Sequence, residues 1–245
     1  MAEHWLILGA SSPIARAFVR AVAARGDAVT LAGRDLQELS ESAGDARLRG
    51  ATVARALQCE ATDADSIQRL LEVADIAGFD LNVLLAMGSM PEQSAMDSDP
   101  QLLERMIRST FMGPVALLQG LAPFFERQRK GKVVVIGSVA GDRGRRKNYL
   151  YGSAKAGLAT FATGLRARLF PAGASVTLVK PGFVDTPMTW GAPGLFLVAA
   201  PEECATAILR AADRGTPEIY VPSFWRWIML VIRHIPATVL KRLSF

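Results

Sequence analysis

The chain has 245 residues, of which 50% are apolar and 21% are charged, a composition typical of a folded globular protein and not of a disordered one. Two cysteines and two histidines argue against a disulfide framework, a clustered metal site and a histidine-based catalytic triad, and they favour a reducing compartment. The net charge of +5 favours an anionic ligand or membrane surface, whereas the scattered basic residues argue against nucleic acid as a partner.

Targeting signals are not expected in this chain. The first residues lack a basic segment followed by a cleavable apolar run, so we predict no signal peptide and a cytoplasmic location. No apolar run approaches the ~20 residues that are needed to span a bilayer.

Apolar runs alternate with amphipathic segments along the chain. Strands are predicted at 4–10, 28–33, 51–59, 81–87, 132–136, 175–180 and 218–221. Helices are predicted at 14–25, 35–49, 64–76, 100–129, 148–170 and 201–214. The helix at 100–129 is expected to break near Gly113-Pro114 or Pro123. The alternation predicts an α/β fold with a doubly wound, seven-stranded parallel sheet and helices on both faces. We expect one domain at 1–222 and an amphipathic tail at 223–245.

The first strand–turn–helix unit contains Gly9-Ala-Ser-Ser-Pro-Ile-Ala15. Small residues in such a turn let the backbone approach a pyrophosphate, whose charge the helix N-terminus stabilises. Pro13 and Ala15 stand where these turns usually have glycine, although proline suits a first helical turn. An ordinary tight turn is the alternative. The dinucleotide interpretation predicts a Rossmann-type fold, with cofactor contacts from Gly9, Ser11, Ser12, Pro13 and Ile14.

The end of the second predicted strand reads Ala32-Gly-Arg34. In dinucleotide-binding folds an acid at this place binds the ribose 2′-hydroxyl, while an arginine accommodates a 2′-phosphate. Arg34 therefore favours NADP(H). Asp35 keeps NAD(H) open, since its carboxylate could turn toward the ribose.

Tyr151-Gly-Ser-Ala-Lys155 places a phenol and an ammonium four residues apart. On a helix these side chains share one face, and a lysine beside the hydroxyl is expected to lower the pKa of the tyrosine. Such a tyrosine can exchange a proton with a carbonyl or an alcohol. An ordinary surface position for both residues is the alternative.

Two strand ends complete this pattern. Ser138 follows the strand at 132–136, where it could donate a hydrogen bond to a substrate oxygen beside Tyr151. Pro181-Gly182 follows the strand at 175–180 and predicts a turn that holds the next backbone over a nicotinamide.

The segments at 8–15, 134–141, 151–155 and 180–188 together resemble the short-chain dehydrogenase/reductase family, over about residues 4–222. This resemblance implies an enzyme that interconverts a ketone and a secondary alcohol with NAD(P)(H). It implies that Tyr151 is the general acid or base, that Lys155 tunes Tyr151 and holds the nicotinamide ribose, and that Ser138 polarises the substrate carbonyl. Further cofactor contacts are implied for Glu60, Ala86, Gly88, Pro181, Gly182, Val184 and Thr186.

The chain departs from the family pattern at Thr110, which stands where the family has a catalytic asparagine that supports a proton-relay water. The threonine hydroxyl could hold such a water, but we expect the helix distortion associated with the asparagine to be absent. Asn148, one turn before Tyr151, is a candidate to compensate.

A basic loop lies between Ser138 and Tyr151. Its residues Arg143, Arg145 and Arg146 could bind a substrate phosphate, and a solvated loop is the alternative. The tail carries apolar residues and four cationic Lys or Arg side chains without any acid. It suits a membrane interface, peripheral on the inner face, or a helix packed on the core or across a dimer.

The tail and the catalytic loop are similar to those of decaprenylphosphoryl-2-keto-ribose reductases. This narrower resemblance implies a hydrophobic or polyprenyl-phosphate-linked keto-sugar as the substrate. A 3-oxoacyl thioester or another small carbonyl compound is an alternative substrate, and a non-catalytic nucleotide-binding or redox-sensing subunit is a further alternative. The family also implies a homodimer or homotetramer.

Overall fold

The computed structural model describes residues 3–74, 79–191 and 196–243. Seven parallel strands form one sheet in the order β3-β2-β1-β4-β5-β6-β7. Their bounds are β1 Glu3–Leu8, β2 Ala28–Gly33, β3 Ala54–Gln58, β4 Asp80–Leu85, β5 Lys132–Ile136, β6 Ser175–Pro181 and β7 Glu218–Val221. The strand order reverses direction between β1 and β4, and ligands of open α/β sheets bind at the carboxyl ends of strands at such a point. The predicted doubly wound α/β fold is confirmed.

Helices cover both faces of the sheet. Their bounds are α1 Pro13–Ala23, α2 Leu36–Leu48, α3 Ala64–Ala74, α4 Gln93–Ser98, α5 Pro100–Ile107, α6 Gly113–Gln128, α7 Tyr149–Leu169, α8 Pro201–Asp213, α9 Trp225–His234 and α10 Ala237–Leu240. Along β1, Trp5 and Ile7 pack in one buried cluster with α1, α2 and α8. Leu6 and Leu8 pack in a second cluster with α3, α6 and α7. Because successive side chains of a strand point to opposite faces, one short apolar strand contributes to both layers.

The predicted helix at 100–129 is interrupted. α5 and α6 flank a five-residue π-helical turn at Arg108–Met112. Pro114 has no N–H to donate to the carbonyl of Thr110. The N–H of the preceding residue, Gly113, donates to the carbonyl of Arg108, five residues back, which is the spacing of a π-helix. The expected break near Gly113-Pro114 is therefore confirmed. The short helix α4 was not predicted, and residues 75–76 of the predicted third helix lie outside the described residues.

The tail packs on the domain through one face of α9. Trp225 and Met229 are buried there beside Val139, whereas no residue of α10 is buried. Residues 244–245 of the predicted tail lie outside the described part of the chain. Among the described residues, no helix combines the length and apolar character required to cross a bilayer.

Candidate active site

The turn after β1 can accept a phosphate group. Gly9 has a φ of +80°, and a Cβ added there would lie 2.8 Å from the carbonyl oxygen of Ala86. Both the conformation and the space therefore require glycine. Ser12 caps α1 without a side-chain hydrogen bond, Pro13 occupies the first turn, and that turn has no acidic residue. The first-turn N–H groups thus face no competing carboxylate, which fits an anionic dinucleotide.

The side chains of Arg34 and Asp35, which follow β2, have different environments. The Asp35 carboxylate accepts a hydrogen bond from the backbone N–H of Glu38 at 3.1 Å and so caps α2. Arg34 is exposed, and its carbonyl accepts a hydrogen bond from the Gln58 amide at 3.1 Å. The Asp35 carboxylate, which would favour NAD(H), is therefore already used to cap α2, while the Arg34 side chain extends into solvent.

Lys155 is buried at the carboxyl ends of β4 and β5. It is 3% exposed, and its ammonium donates to the carbonyl oxygens of Met87 at 3.2 Å and Ile136 at 2.9 Å. Tyr151 is 5% exposed, with its ring centroid 5.9 Å from the Lys155 nitrogen. The phenol O–H points to the sulphur of Met188 at 4.0 Å. The predicted pairing on one helix face is present, but backbone carbonyls receive the hydrogen bonds of the ammonium.

The electrostatics of this pair differ from the sequence prediction. Burial raises the pKa of Tyr151 to about 12, against a smaller lowering by the Ser138 hydroxyl. Burial lowers the pKa of Lys155 to about 8. The prediction that Lys155 lowers the pKa of Tyr151 is wrong for this structure, because desolvation disfavours both charged forms and the ammonium is directed at carbonyl groups.

Ser138 begins a short 3₁₀ turn, Val139–Asp142, that leads away from β5. Its hydroxyl oxygen accepts a hydrogen bond from the backbone N–H of Ala140 at 3.1 Å, so the hydroxyl proton is free to donate elsewhere. The turn packs directly on the backbone of α7. A Cβ added to Gly152 would lie 2.7 Å from the Ala140 carbonyl oxygen, and one added to Gly141 would lie 2.8 Å from the Ala156 nitrogen. These glycines let Ser138 and Tyr151 approach each other, a role that sequence reasoning missed.

Thr110 lies in the π-helical turn and is fully buried. Its hydroxyl accepts from the N–H of Ser89 at 3.1 Å and donates to the carbonyl of the same residue at 3.2 Å. A Cβ added to Gly88 would lie 3.3 Å from the Lys155 nitrogen and 3.4 Å from the Thr110 hydroxyl oxygen. The expectation that the helix distortion is absent is wrong, because Pro114 creates it without an asparagine.

Asn148 caps the start of α7. Its carbonyl accepts from the N–H of Gly152 at 2.8 Å. Its side-chain oxygen is buried and has no hydrogen-bond partner within the described residues. Asn148 therefore retains an acceptor one turn before Tyr151.

Three of the other predicted cofactor residues, Glu60, Ala86 and Gly88, follow the carboxyl ends of β3 and β4. Gly88 has a φ of +143°, and the N–H of Ala86 donates to the Leu8 carbonyl at 2.8 Å. Glu60 accepts hydrogen bonds from the N–H and the hydroxyl of Thr62 at 3.3 and 3.2 Å. These contacts fix the loops that follow β3 and β4.

The turn after β6 is locked to the tail. The N–H of Gly182 donates to the Val221 carbonyl at 2.9 Å, and the Trp225 indole occupies the place that a Cβ on Gly182 would need. Pro181 pairs with Val221 in the sheet, and Val184 forms a bridge with Ala199. The Thr189 hydroxyl donates to the carbonyl oxygen of Thr186 at 2.9 Å.

The three arginines predicted to bind phosphate have different environments. Arg143 donates to the Ile235 carbonyl at 3.3 Å and so holds the end of α9. Arg146 is exposed. Burial lowers the pKa of Arg145, whose Nε has no partner within the described residues. The Nε of Arg143 also lacks a partner there, but the same guanidinium donates to Ile235, so Arg145 has the greater need for an anion.

Known proteins identify the family. The model of the short chain dehydrogenase family matches residues 3–193. The chain belongs to this family. An uncharacterised oxidoreductase of Streptomyces coelicolor is 36% identical over 241 residues, covering 97% of this chain and 94% of the relative.

Solved structures of the family agree. A short-chain dehydrogenase from Sphingobium yanoikuyae in complex with NADPH is 26% identical, covers 96% of this chain and 97% of its own, and has a TM-score of 0.79. A protein assigned as a β-ketoacyl-ACP reductase is 27% identical, covers 89% of this chain and 95% of its own, and has a TM-score of 0.75. The predicted short-chain dehydrogenase/reductase, an NAD(P)-dependent oxidoreductase, is confirmed.

A buried ionic network supports this short-chain dehydrogenase site and was not predicted. Lys180 lies 2.8 Å from an Asp142 carboxylate oxygen and 2.9 Å from one of Glu218. The Tyr220 hydroxyl donates to the other Asp142 oxygen at 2.6 Å. Burial acts to lower the pKa of Lys180, but the hydrogen bonds to Asp142 and Glu218 outweigh it and raise that pKa. The network ties the turn after Ser138 to β6 and β7, and its members are too far apart in sequence to be recognised together.

The burial of Lys155 predicts a pH-dependent stability. Its pKa of about 8 when folded lies below the ordinary 10.5, so between these values the unfolded chain binds a proton that the folded chain has released. Stability therefore rises with pH in this window, by up to about 1.4 kcal/mol per pH unit. In urea unfolding from pH 7 to 10.5, wild type should gain stability relative to Lys155→Met. The exposed control Lys147→Met should parallel wild type, and a constant difference between wild type and Lys155→Met would contradict this assignment.

Proposed function

We propose that the protein is an NADP(H)-dependent oxidoreductase that interconverts a ketone and a secondary alcohol, with Tyr151 as the general acid or base. The observation that carries this proposal is the buried Tyr151–Lys155 pair beside Ser138, at the edge of the sheet that also holds the Gly9 turn. Buried ionisable groups with shifted pKa values are typical of catalytic positions in this setting.

The chain's own residues supply the proton chemistry. The cofactor, when bound, supplies or accepts the hydride. Tyr151 has a pKa of about 12, so its phenol is protonated at neutral pH and can protonate the oxygen of a carbonyl group as that carbonyl is reduced. Ser138 does not use its hydroxyl proton in the contact with Ala140, so it can turn that proton from the Tyr151 phenol to the same oxygen and stabilise its developing charge.

Lys155 is proposed to serve Tyr151 in two ways. With a pKa of about 8 it is mostly protonated at pH 7, so it can return a proton toward the phenol. Its ammonium would also favour the phenolate if it exchanged a carbonyl partner for the phenol oxygen, which alcohol oxidation requires. We propose that Lys155 also binds the nicotinamide ribose.

We propose that the proton relay from solvent to the site runs along the π-helical turn at Arg108–Met112. The Thr110 hydroxyl is engaged on both sides by the Ser89 backbone, so it is a poor holder of a relay water. Pro114 leaves the Thr110 carbonyl without the donor that a regular helix provides, and we propose this oxygen as the holder. The free acceptor of Asn148 is the second candidate.

The proposed cofactor contacts follow the fit of the site to a dinucleotide. Gly9 and the segment Ser11–Ile14 would hold the pyrophosphate at the start of α1, and Arg34 would bind a 2′-phosphate. Glu60 would contact the adenine, and Ala86 and Gly88 would contact the cofactor from the turn after β4. Pro181, Gly182, Val184 and Thr186 would contact the nicotinamide.

The substrate is proposed to be hydrophobic, with a polyprenyl-phosphate-linked keto-sugar as the specific candidate. Met188 lies against Tyr151 and is itself partly exposed, so the site has an apolar border. Arg145 is half-buried, and its Nε has no hydrogen-bond partner among the described residues, so it would suit the phosphate of such a substrate better than Arg143, which holds Ile235, or the exposed Arg146. The similarity to a protein assigned as a β-ketoacyl-ACP reductase favours 3-oxoacyl thioesters as the alternative.

We further propose that residues 1–222 are the catalytic domain and that 223–245 are an accessory tail. The location would be cytoplasmic, with peripheral attachment to the inner membrane face. A homodimer or homotetramer is the proposed assembly.

Removal of the Tyr151 hydroxyl should abolish turnover. Tyr151→Phe is expected to lower kcat/KM by at least about 100-fold, the usual contribution of a general acid. Tyr149→Phe is the matched control, because Tyr149 is exposed and only two residues away. NADPH oxidation would be followed with a polyprenyl-phosphate keto-sugar and with an acetoacetyl thioester, which also separates the two substrate candidates. Near-wild-type turnover by Tyr151→Phe would refute the mechanism, and NADPH binding without any turnover by wild type would favour a non-catalytic role.

The cofactor preference should depend on Arg34. Titrations that follow nucleotide fluorescence are expected to give tighter binding of NADPH than of NADH. Arg34→Asp should remove or reverse this preference, because the carboxylate repels the 2′-phosphate and can accept from a ribose hydroxyl. Arg47→Asp controls for the change in net charge. Tighter NADH binding by wild type would overturn the role of Arg34.

A further inference from the structure

The outward face of α9 carries large apolar side chains beside its arginines, where a surface helix is normally polar throughout. Trp225 and Met229 bury one face of the helix against the domain. On the opposite face Trp227 is 66% exposed and Val231 is 67% exposed, with Leu230 between them. Large apolar side chains that stay exposed opposite the buried face predict a second apolar contact outside the domain.

The loop after β6 continues this surface. Its exposed apolar residues are Met188, Trp190, Phe196, Leu197 and Val198. Phe196 packs on Trp225, with ring centroids 5.7 Å apart, so the loop touches α9. Leu197 has a φ of +53°, a left-handed conformation that is unfavourable for leucine, and it still exposes its side chain. We name the exposed set the apolar rim: Met188, Trp190, Phe196, Leu197, Val198, Trp227, Leu230 and Val231.

The apolar rim borders the catalytic tyrosine. The Met188 sulphur lies 4.0 Å from the Tyr151 hydroxyl, and Met188 is itself partly exposed. The Trp190 indole N–H donates to Asp185 at 2.8 Å, which anchors this exposed ring in the same loop. A surface that covered the rim would therefore lie over the approach to Tyr151.

Charge favours an anionic partner. Residues 223–243 include Arg226, Arg233, Lys241 and Arg242 and contain no Asp or Glu. In a twofold contact between tails of two copies, these cations would find no acid in the partner tail, because the tail contains none. An anionic bilayer offers apolar depth and negative charge together.

We propose that the apolar rim docks on an anionic lipid bilayer, so that the approach to Tyr151 opens at the membrane surface and a lipid-borne carbonyl substrate enters from it. The identity of that substrate rests on the proposed function, whereas the docking itself does not. The loop after β6 is thereby assigned to membrane contact together with the tail.

Tryptophan fluorescence tests the docking directly. The chain has four tryptophans, and Trp5 and Trp225 are buried while Trp190 and Trp227 are exposed in the rim. Vesicles of phosphatidylglycerol and brominated phosphatidylcholine should quench wild type. Trp190→Phe and Trp227→Phe should each remove part of the quenched fluorescence. Quenching that Trp190→Phe leaves unchanged would restrict the contact to the tail and overturn the proposal for the rim.

Vesicle co-sedimentation tests the energetics. Arg226→Gln/Arg233→Gln should weaken binding roughly 25-fold, which corresponds to about 1 kcal/mol for each charge. Trp227→Ser/Val231→Ser should also weaken binding. The exposed but distant Leu48→Ser should bind as wild type does. Equal binding by all four proteins, or no binding by wild type, would refute the proposal.

Two further measurements separate the alternatives. If Trp227→Ser/Val231→Ser turns a wild-type dimer into a monomer without vesicles, a second copy occupies the rim and the proposal is wrong. This variant should retain wild-type turnover of a water-soluble carbonyl without vesicles. If wild type reduces no carbonyl at all, the proposed function fails, while quenching and co-sedimentation still decide the docking.

Discussion

The burial of the Lys155 ammonium is the constraint on which the proposed active site depends. A charge removed from water is tolerated only with hydrogen-bond partners, and here they are the carbonyl oxygens of Met87 and Ile136, just after β4 and at the end of β5. Both strand ends and α7 must therefore keep their positions for the charge to be held. The close approaches at Gly88, Gly141 and Gly152 make this arrangement sterically accessible. Stability is given up at this point, as is typical of sites selected for chemistry.

The same burial determines the state of Tyr151. A phenol in this environment stays protonated far above neutral pH, which suits reduction of a carbonyl group and opposes oxidation of an alcohol. A positive charge next to the phenol would be needed to reverse that preference. The direction of the reaction would then depend on where the ammonium is directed, more than on the spacing of the two residues along the helix.

The sequence predicts the layers well because buried parallel strands and amphipathic helices leave strong periodic patterns. It also predicts the Gly9 turn and the Tyr151–Lys155 face, since local spacing determines both. It does not predict where the Lys155 nitrogen points, because two carbonyls distant in sequence determine that. The Lys180–Asp142–Tyr220 network and the packing of Trp225 on Gly182 are likewise tertiary contacts without a local signal. The sequence predicts the break near Pro114, but the expectation at Thr110 was wrong because the distortion depends on that proline and not on an asparagine.

The role of Tyr151 as acid and base can be tested by measuring its ionisation. The phenolate absorbance of wild type minus that of Tyr151→Phe would be followed with pH, with and without saturating NADP⁺. Without nucleotide we expect no Tyr151-dependent phenolate below about pH 10, because the phenol is desolvated. With NADP⁺ we expect ionisation at lower pH, because positive charge then lies beside the phenol. A Tyr151 phenolate signal that is identical in both conditions would contradict the assignment of Tyr151 as the acid and base of the reaction.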